Sequence, residues 1–256
     1  MAMSLHRAFD WRGPDRLVLV HGFTQTMRAW EPMTATLAET FQVVRVDLPG
    51  HGGSVGVDLD FAETAAAIGD AGGTATYVGY SMGGRLCLRL ALDRPDLVQS
   101  LVLVGASPGL ADEGERAARQ ASDEALADEI ERIGTAAFLE RWLAQPMFST
   151  LELDPADLEA RRANTSAGLA SALRRLGAGV QEPLWDRLGE LDMPVLAVAG
   201  QEDARYMDIA EQVADAIGVN AQVVALAGAG HAAHLERPGS FCRLLGAFLV
   251  LHPPAP

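Results

Sequence analysis

GYSMGGR, residues 79–85, sets the pattern G-x-S-x-G between a short apolar run, ATYVGYS (75–81), and a helix-length segment, 82–93. In that setting the pattern predicts a sharp strand-to-helix turn that thrusts the Ser81 hydroxyl above the end of a sheet. Glycines at 79 and 83 are needed because the turn brings backbone segments too close for side chains. Arg85 is the unusual member. The first turn of a helix carries a partial positive charge, so a cation there predicts a negative group close by.

Outward from this turn, LVLVHG (17–22), VVRVDLPG (43–50), LVLVGAS (101–107), VLAVAG (195–200) and QVVALAG (222–228) share the character of 75–81. Short apolar runs without alternation describe strands buried on both faces, hence a mainly parallel sheet. Helix-length segments at 27–40, 82–93, 206–218 and 238–250 separate most of them, the rhythm of a doubly wound α/β fold. Residues 110–182 break that rhythm with several helical runs, among them ERAARQASDEALADEIERI, TAAFLERWLAQ and SAGLASALRRLG, and no strand-like one. The expected organisation is one core, 1–109 with 183–256, carrying a helical lid, 110–182, over the carboxyl ends of the strands. The tail HPPAP (252–256) is expected to fray.

A serine hydroxyl becomes reactive when an imidazole takes its proton and a carboxylate orients that imidazole. The order expected with this turn is serine, acid, histidine, each at a strand end. Asp203 follows VLAVAG and His231 follows QVVALAG, so Ser81, Asp203 and His231 form the candidate triad. Glu202 is the alternative acid, with the less usual spacing from its strand. His21 in HGF and His51 in PGHGGS suit loop bracing, and His234 suits either ligand contact or capping of the next helix. A developing oxyanion needs backbone N–H donors, which nominates Met82 after the serine and Phe23 after the first long strand.

Composition excludes whole classes. A chain of 256 residues suffices for one large α/β domain with an insertion. No apolar run reaches the roughly 18 residues of a membrane helix, and MAMSLHRAFDW has no signal-like apolar stretch, so a cytoplasmic location is the default. A net charge of -14 argues against nucleic acid or an anionic membrane as partner. All 20 basic residues are arginine, which removes Schiff-base, pyridoxal phosphate and P-loop lysine chemistry. Cys87 and Cys242 lie in apolar helical patterns, as buried thiols do. The six histidines show no ligand spacing, so neither metal nor cofactor is expected, and the assembly expected is a monomer or small homo-oligomer.

LVLVHGF, VDLPGHGGS, GYSMGGR, GQED and GAGH together resemble the α/β-hydrolase superfamily. Within it, GYSMGGR with its arginine, GASPGL, ERAARQ, RWLAQPMF, RRANTSAGLA and GAGHAAHLERP resemble the 2-succinyl-6-hydroxy-2,4-cyclohexadiene-1-carboxylate synthases of menaquinone biosynthesis. The likeness runs from about residue 17 to 240. It implies an α/β-hydrolase fold and a carbon–oxygen lyase that abstracts a proton and eliminates pyruvate from an enolpyruvyl precursor. Ser81, polarised by His231, would act mainly as base, and the oxyanion hole would hold charge on the conjugated oxygen.

The resemblance further implies a small multi-carboxylate substrate met by Arg85, Arg119 and Arg162, with Arg116 as a neighbour and Tyr80 and Trp142 lining the pocket. Guanidinium forks suit carboxylates, and a strongly acidic protein needs local cations to hold a polyanion. The chain departs from the family at Arg205 and Tyr206, where lysine and phenylalanine are common, and at Ala232, where asparagine is. The same triad also supports a hydrolase that uses Ser81 as nucleophile on an ester or on a carbon–carbon bond beside a ketone, or a binding protein with an idle triad. Several cations around one pocket favour the polyanion over a neutral ester.

Overall fold

Alternate residues of an extended strand point to opposite faces, and here both faces meet a helix layer. The computed structural model describes residues 4–11 and 13–253. Its strands are β1 (Arg7–Trp11), β2 (Asp15–Val20), β3 (Phe41–Val46), β4 (Ala75–Tyr80), β5 (Val98–Val104), β6 (Val195–Gly200) and β7 (Ala221–Leu226). They form one seven-stranded sheet in the order β1-β3-β2-β4-β5-β6-β7. Every pair is parallel except β1 with β3.

The helices are α1 (Glu31–Leu37), α2 (Phe61–Gly72), α3 (Met82–Asp93), α4 (Glu113–Ile133), α5 (Thr135–Leu143), α6 (Pro155–Arg162), α7 (Ser166–Leu176), α8 (Ala204–Ile217), α9 (Ala233–Glu236) and α10 (Pro238–Leu251). Val18, Val44, Tyr77 and Leu101 turn toward α2, α3 and α8, which supply Ile68, Leu86 and Val213. Leu17, Leu19, Val78 and Val102 turn the other way, toward Met33 of α1 and Phe241 and Leu245 of α10. This is the doubly wound arrangement, and the six apolar runs each become a strand. Among the described residues, no helix is long and apolar enough to cross a membrane.

Three features differ from expectation, each at a place where the apolar signal is weak. β1 is an antiparallel edge strand with Phe9 exposed; its five residues, RAFDW, are too few and too mixed to form an apolar run. β7 forms the opposite edge and is half-exposed along most of its length rather than buried on both faces. Helix α2 carries glycines at 69 and 72, which dilute a helical pattern. Its start is fixed by a capping box, in which Asp60 Oδ1 accepts the Glu63 N–H at 2.8 Å and Glu63 Oε2 accepts the Asp60 N–H at 2.9 Å.

Helices α4 to α7 fall between β5 and β6 and build a small core of their own from Ala127, Ile130, Phe138, Leu169, Ala170 and Leu173. Phe23, from the loop after β2, and Trp142 pack against that core. The helical segment is therefore anchored on the loop that leads from the first long strand. Helix α6 lies outside the helical runs named from sequence; its start is set by Asp154, whose carboxylate accepts the Ala156 N–H at 2.7 Å. From residue 254 the tail expected to fray lies outside the described residues.

Candidate active site

β4 ends at Tyr80 and α3 begins at Met82, so Ser81 makes the whole turn, at φ 49° and ψ -109°. A non-glycine residue held with positive φ stores strain of the order of 1–3 kcal/mol and persists only where its surroundings over-determine it. The surroundings do so here. Ser81 N–H donates to Val104 O at 2.9 Å, and Ser81 O accepts the Arg85 N–H at 3.0 Å. A Cβ on Gly79 would sit 2.5 Å from Gly83 O, and one on Gly83 would sit 2.4 Å from Val20 O. Both glycines are thus imposed by backbone crossing backbone, which is the physical content of the sequence pattern.

Asp203 and His231, the candidate acid and base, stand beyond the ends of β6 and β7, with β5 lying between these strands and β4. His231 Nδ1 and Asp203 Oδ2 are 2.8 Å apart. An ionised carboxylate only accepts, so Nδ1 carries the proton and Nε2 is left as the basic nitrogen. Asp203 Oδ1 accepts the Tyr206 N–H at 3.3 Å, which locks the carboxylate at the start of α8. Glu202 is exposed and makes no bond to His231, so Asp203 is the carboxylate that the geometry pairs with His231.

Ser81, Asp203 and His231 line one cavity of about 540 Å³, beneath α4, α5 and the segment that follows them. Phe23, Tyr80, Met82, Arg85, Arg119 and Trp142 line it too. Among the described residues, the Phe23 and Met82 amides have no hydrogen-bond partner, whereas Gly22, Thr24, Gln25 and Ser81 around them are all bonded. Two free N–H groups therefore remain where donors are needed. Trp142 Nε1 is buried without a partner.

The loop bearing Phe23 is held by a clamp that the sequence did not reveal. Thr24 has φ 69°, again positive in a non-glycine residue. Its N–H donates to His51 Nε2 at 3.2 Å, its Oγ1 accepts from Arg161 at 3.0 Å, and its carbonyl accepts from Asn164 Nδ2 at 2.9 Å. His21 braces the adjoining turn by accepting the Leu48 N–H at Nε2, 3.1 Å away. The two histidines thus do the loop-bracing work expected of them. Arg161 and Asn164 come from the end of α6, 137 and 140 positions along the chain, a pairing no local pattern announces.

Arg85 is buried, with 8% of its surface exposed. Its guanidinium donates to Gln181 Oε1 at 2.8 Å, Leu176 O at 2.7 Å and Gly177 O at 3.5 Å. It also lies over the Phe61 ring, 5.6 Å from the centroid. Among the described residues, no carboxylate lies within ion-pair distance of it. None of the described residues supplies the anion expected beside the first turn of α3. Burial, with a smaller contribution from the positive charge of Arg119, pulls the guanidinium down to about 10, where it is still charged at neutral pH. Arg119 also lines the cavity, half-exposed and paired with Asp123 at 2.8 Å.

The other two arginines are not brought to the cavity. Arg162 is exposed at the end of α6, while its neighbour Arg161 turns inward and pairs with Asp157 at 2.8 Å. One residue along a helix is about 100° of rotation, enough to exchange the buried and the solvated arginine. Arg116 donates to Leu110 O and Ala111 O at 3.0 and 2.8 Å and stays at the base of α4. His234 neither meets the cavity nor caps a helix through its ring. It is fully buried between Trp30 and Tyr80, with ring centroids 4.5 Å away on each side, and neither nitrogen has a partner.

Burial pulls both His51 and His234 from the ordinary 6.5 down to about 3, and lowers His21 as well. All three are neutral when folded, as His51 must be to accept the Thr24 N–H. Below about pH 6.5 the unfolded chain takes up protons that the folded chain refuses. The stability these rings contribute is therefore complete above 6.5 and is lost as pH falls toward 3. We expect urea-unfolding free energy to drop by about 3 to 5 kcal/mol between pH 6.5 and 5, before most carboxylates titrate. His234→Phe should remove a third to a half of that slope; a flat profile in the wild type would show that the rings are not held neutral.

The model of the alpha/beta hydrolase family matches residues 17–244. A 2-succinyl-6-hydroxy-2,4-cyclohexadiene-1-carboxylate synthase of Serratia proteamaculans is 32% identical over 243 residues, covering 91% of this chain and 92% of its own. The structure of MenH from S. aureus matches with a TM-score of 0.88 at 28% identity, covering 96% of this chain and 98% of that one. A malate-bound thermophilic esterase from Thermogutta terrifontis matches at 0.80 with 21% identity over 97% of this chain and 94% of its own, a likeness of fold alone.

Proposed function

The chain belongs to the alpha/beta hydrolase family, and from that premise we propose that it is a 2-succinyl-6-hydroxy-2,4-cyclohexadiene-1-carboxylate synthase, a carbon–oxygen lyase acting on a small polyanion in the cytoplasm. The observation that carries the reading is Arg85, a buried cation in the cavity that meets no anion among the described residues. Its recorded bonds occupy at most three of five N–H groups, which leaves at least two for a ligand carboxylate. Arg119 offers a second positive group at the same cavity.

In this reading Ser81 Oγ takes the proton from the ring carbon and passes its own to His231 Nε2, with Asp203 holding the imidazolium in place. The electron pair left on carbon moves toward the conjugated carbonyl, whose oxygen is met by the Phe23 and Met82 N–H groups. Collapse of that charge breaks the carbon–oxygen bond to the enolpyruvyl group, and the departing pyruvate enolate recovers a proton from His231. No acyl-enzyme is needed, and the lid helices limit the water that could divert the reaction.

Incubation of the purified protein with the enolpyruvyl cyclohexene precursor, with pyruvate followed by a coupled dehydrogenase, tests this directly. Pyruvate release well above the uncatalysed rate is expected. No release, together with rapid turnover of p-nitrophenyl esters, would overturn the lyase in favour of a serine hydrolase using Ser81 as nucleophile.

A further inference from the structure

Tyr206 stands in the cavity without an assigned task. Its backbone N–H fixes Asp203 Oδ1, so the residue is built into the same turn as the acid. Its ring lies 4.5 Å from the His231 ring, tilted by 48°. The side chain lines the cavity together with Arg85 and Ser81. Among the described residues, no protein group hydrogen-bonds its hydroxyl.

These facts place a free O–H donor in the cavity that also holds Arg85, a guanidinium for which the described residues supply no anion. A carboxylate offers about four lone-pair sites, more than the N–H groups Arg85 has to spare. We propose that the Tyr206 hydroxyl donates to the same ligand carboxylate that Arg85 holds, which makes Tyr206 a specificity-determining residue for carboxylate ligands. The proposal rests on the carboxylate reading of the cavity given above. A tyrosine present only to pack against His231 would lose nothing on becoming phenylalanine, and that difference is measurable.

The experiment compares Tyr206→Phe with wild type, using succinate as a binding probe in calorimetry and the enolpyruvyl precursor in pyruvate-release kinetics. A hydrogen bond to a charged group predicts succinate Kd and precursor KM about tenfold higher, with kcat changed by less than about threefold. Arg85→Met combined with Tyr206→Phe should weaken succinate binding by less than the product of the two separate effects, because both act on one carboxylate. Unchanged Kd and KM in Tyr206→Phe would overturn the proposal. A wild type that releases no pyruvate but binds succinate removes the lyase reading alone, and Tyr206 is then judged by whether the phenylalanine variant binds succinate more weakly. A wild type that does neither overturns both.

Discussion

Ser81→Ala is expected to lower kcat for pyruvate release by about 10³-fold or more while leaving KM within a few-fold of wild type. Truncating one hydroxyl leaves the cavity, its arginines and the free Phe23 and Met82 amides untouched, so ligand affinity has no reason to change. Only the atom that links the substrate proton to His231 is gone. The fold should also survive, because alanine is no more strained than serine at φ 49°. Ser81→Gly should remove activity equally and raise stability by about 0.5–1 kcal/mol, since glycine adopts that backbone without strain. Steady-state kinetics with thermal melts of both variants separate the roles. An unchanged rate in Ser81→Ala would remove the triad from the reaction.

The turn around Ser81 was legible because its requirements are local: Gly79 and Gly83 answer to backbone atoms within reach of one strand–helix junction. The six apolar strands were legible for a related reason. A strand covered on both faces has no polar positions to obscure it, whereas the edges β1 and β7 mix exposed and covered residues. Asp203 and His231 follow from their strands by simple counting. The contacts that helices α4 to α7 and their flanking loops make with the rest of the chain do not. Arg161 and Arg162 are indistinguishable as letters, and helical phase alone decides that the first clamps Thr24 while the second meets solvent. Gln181 and Asn164 carry no chemical signature in the chain, although they orient Arg85 and the Phe23 loop. His234 shows the same limit from the other side, since a histidine near the base suggests function and here packs between two aromatic rings.

Arg85→Met should weaken carboxylate binding by roughly 2 to 5 kcal/mol, the range for removing one partner of a buried charge pair. The ligand-free protein should respond in the opposite sense. A buried guanidinium with only neutral oxygens for partners costs desolvation that no carboxylate offsets, and burial is the leading cause of its lowered basicity. Methionine fills similar space without that cost, at the expense of the bonds to Leu176 O, Gly177 O and Gln181. Apo stability is therefore expected to stay near wild type or rise, while the increase in Tm that succinate gives the wild type is lost. Arg85→Lys should recover only part of the affinity, because an ammonium keeps the charge and loses the fork. Equal affinity in Arg85→Met and wild type would make Arg85 a brace for the end of α7. A fall in affinity without a fall in apo stability identifies a cation kept in an unfavourable place for the sake of its ligand.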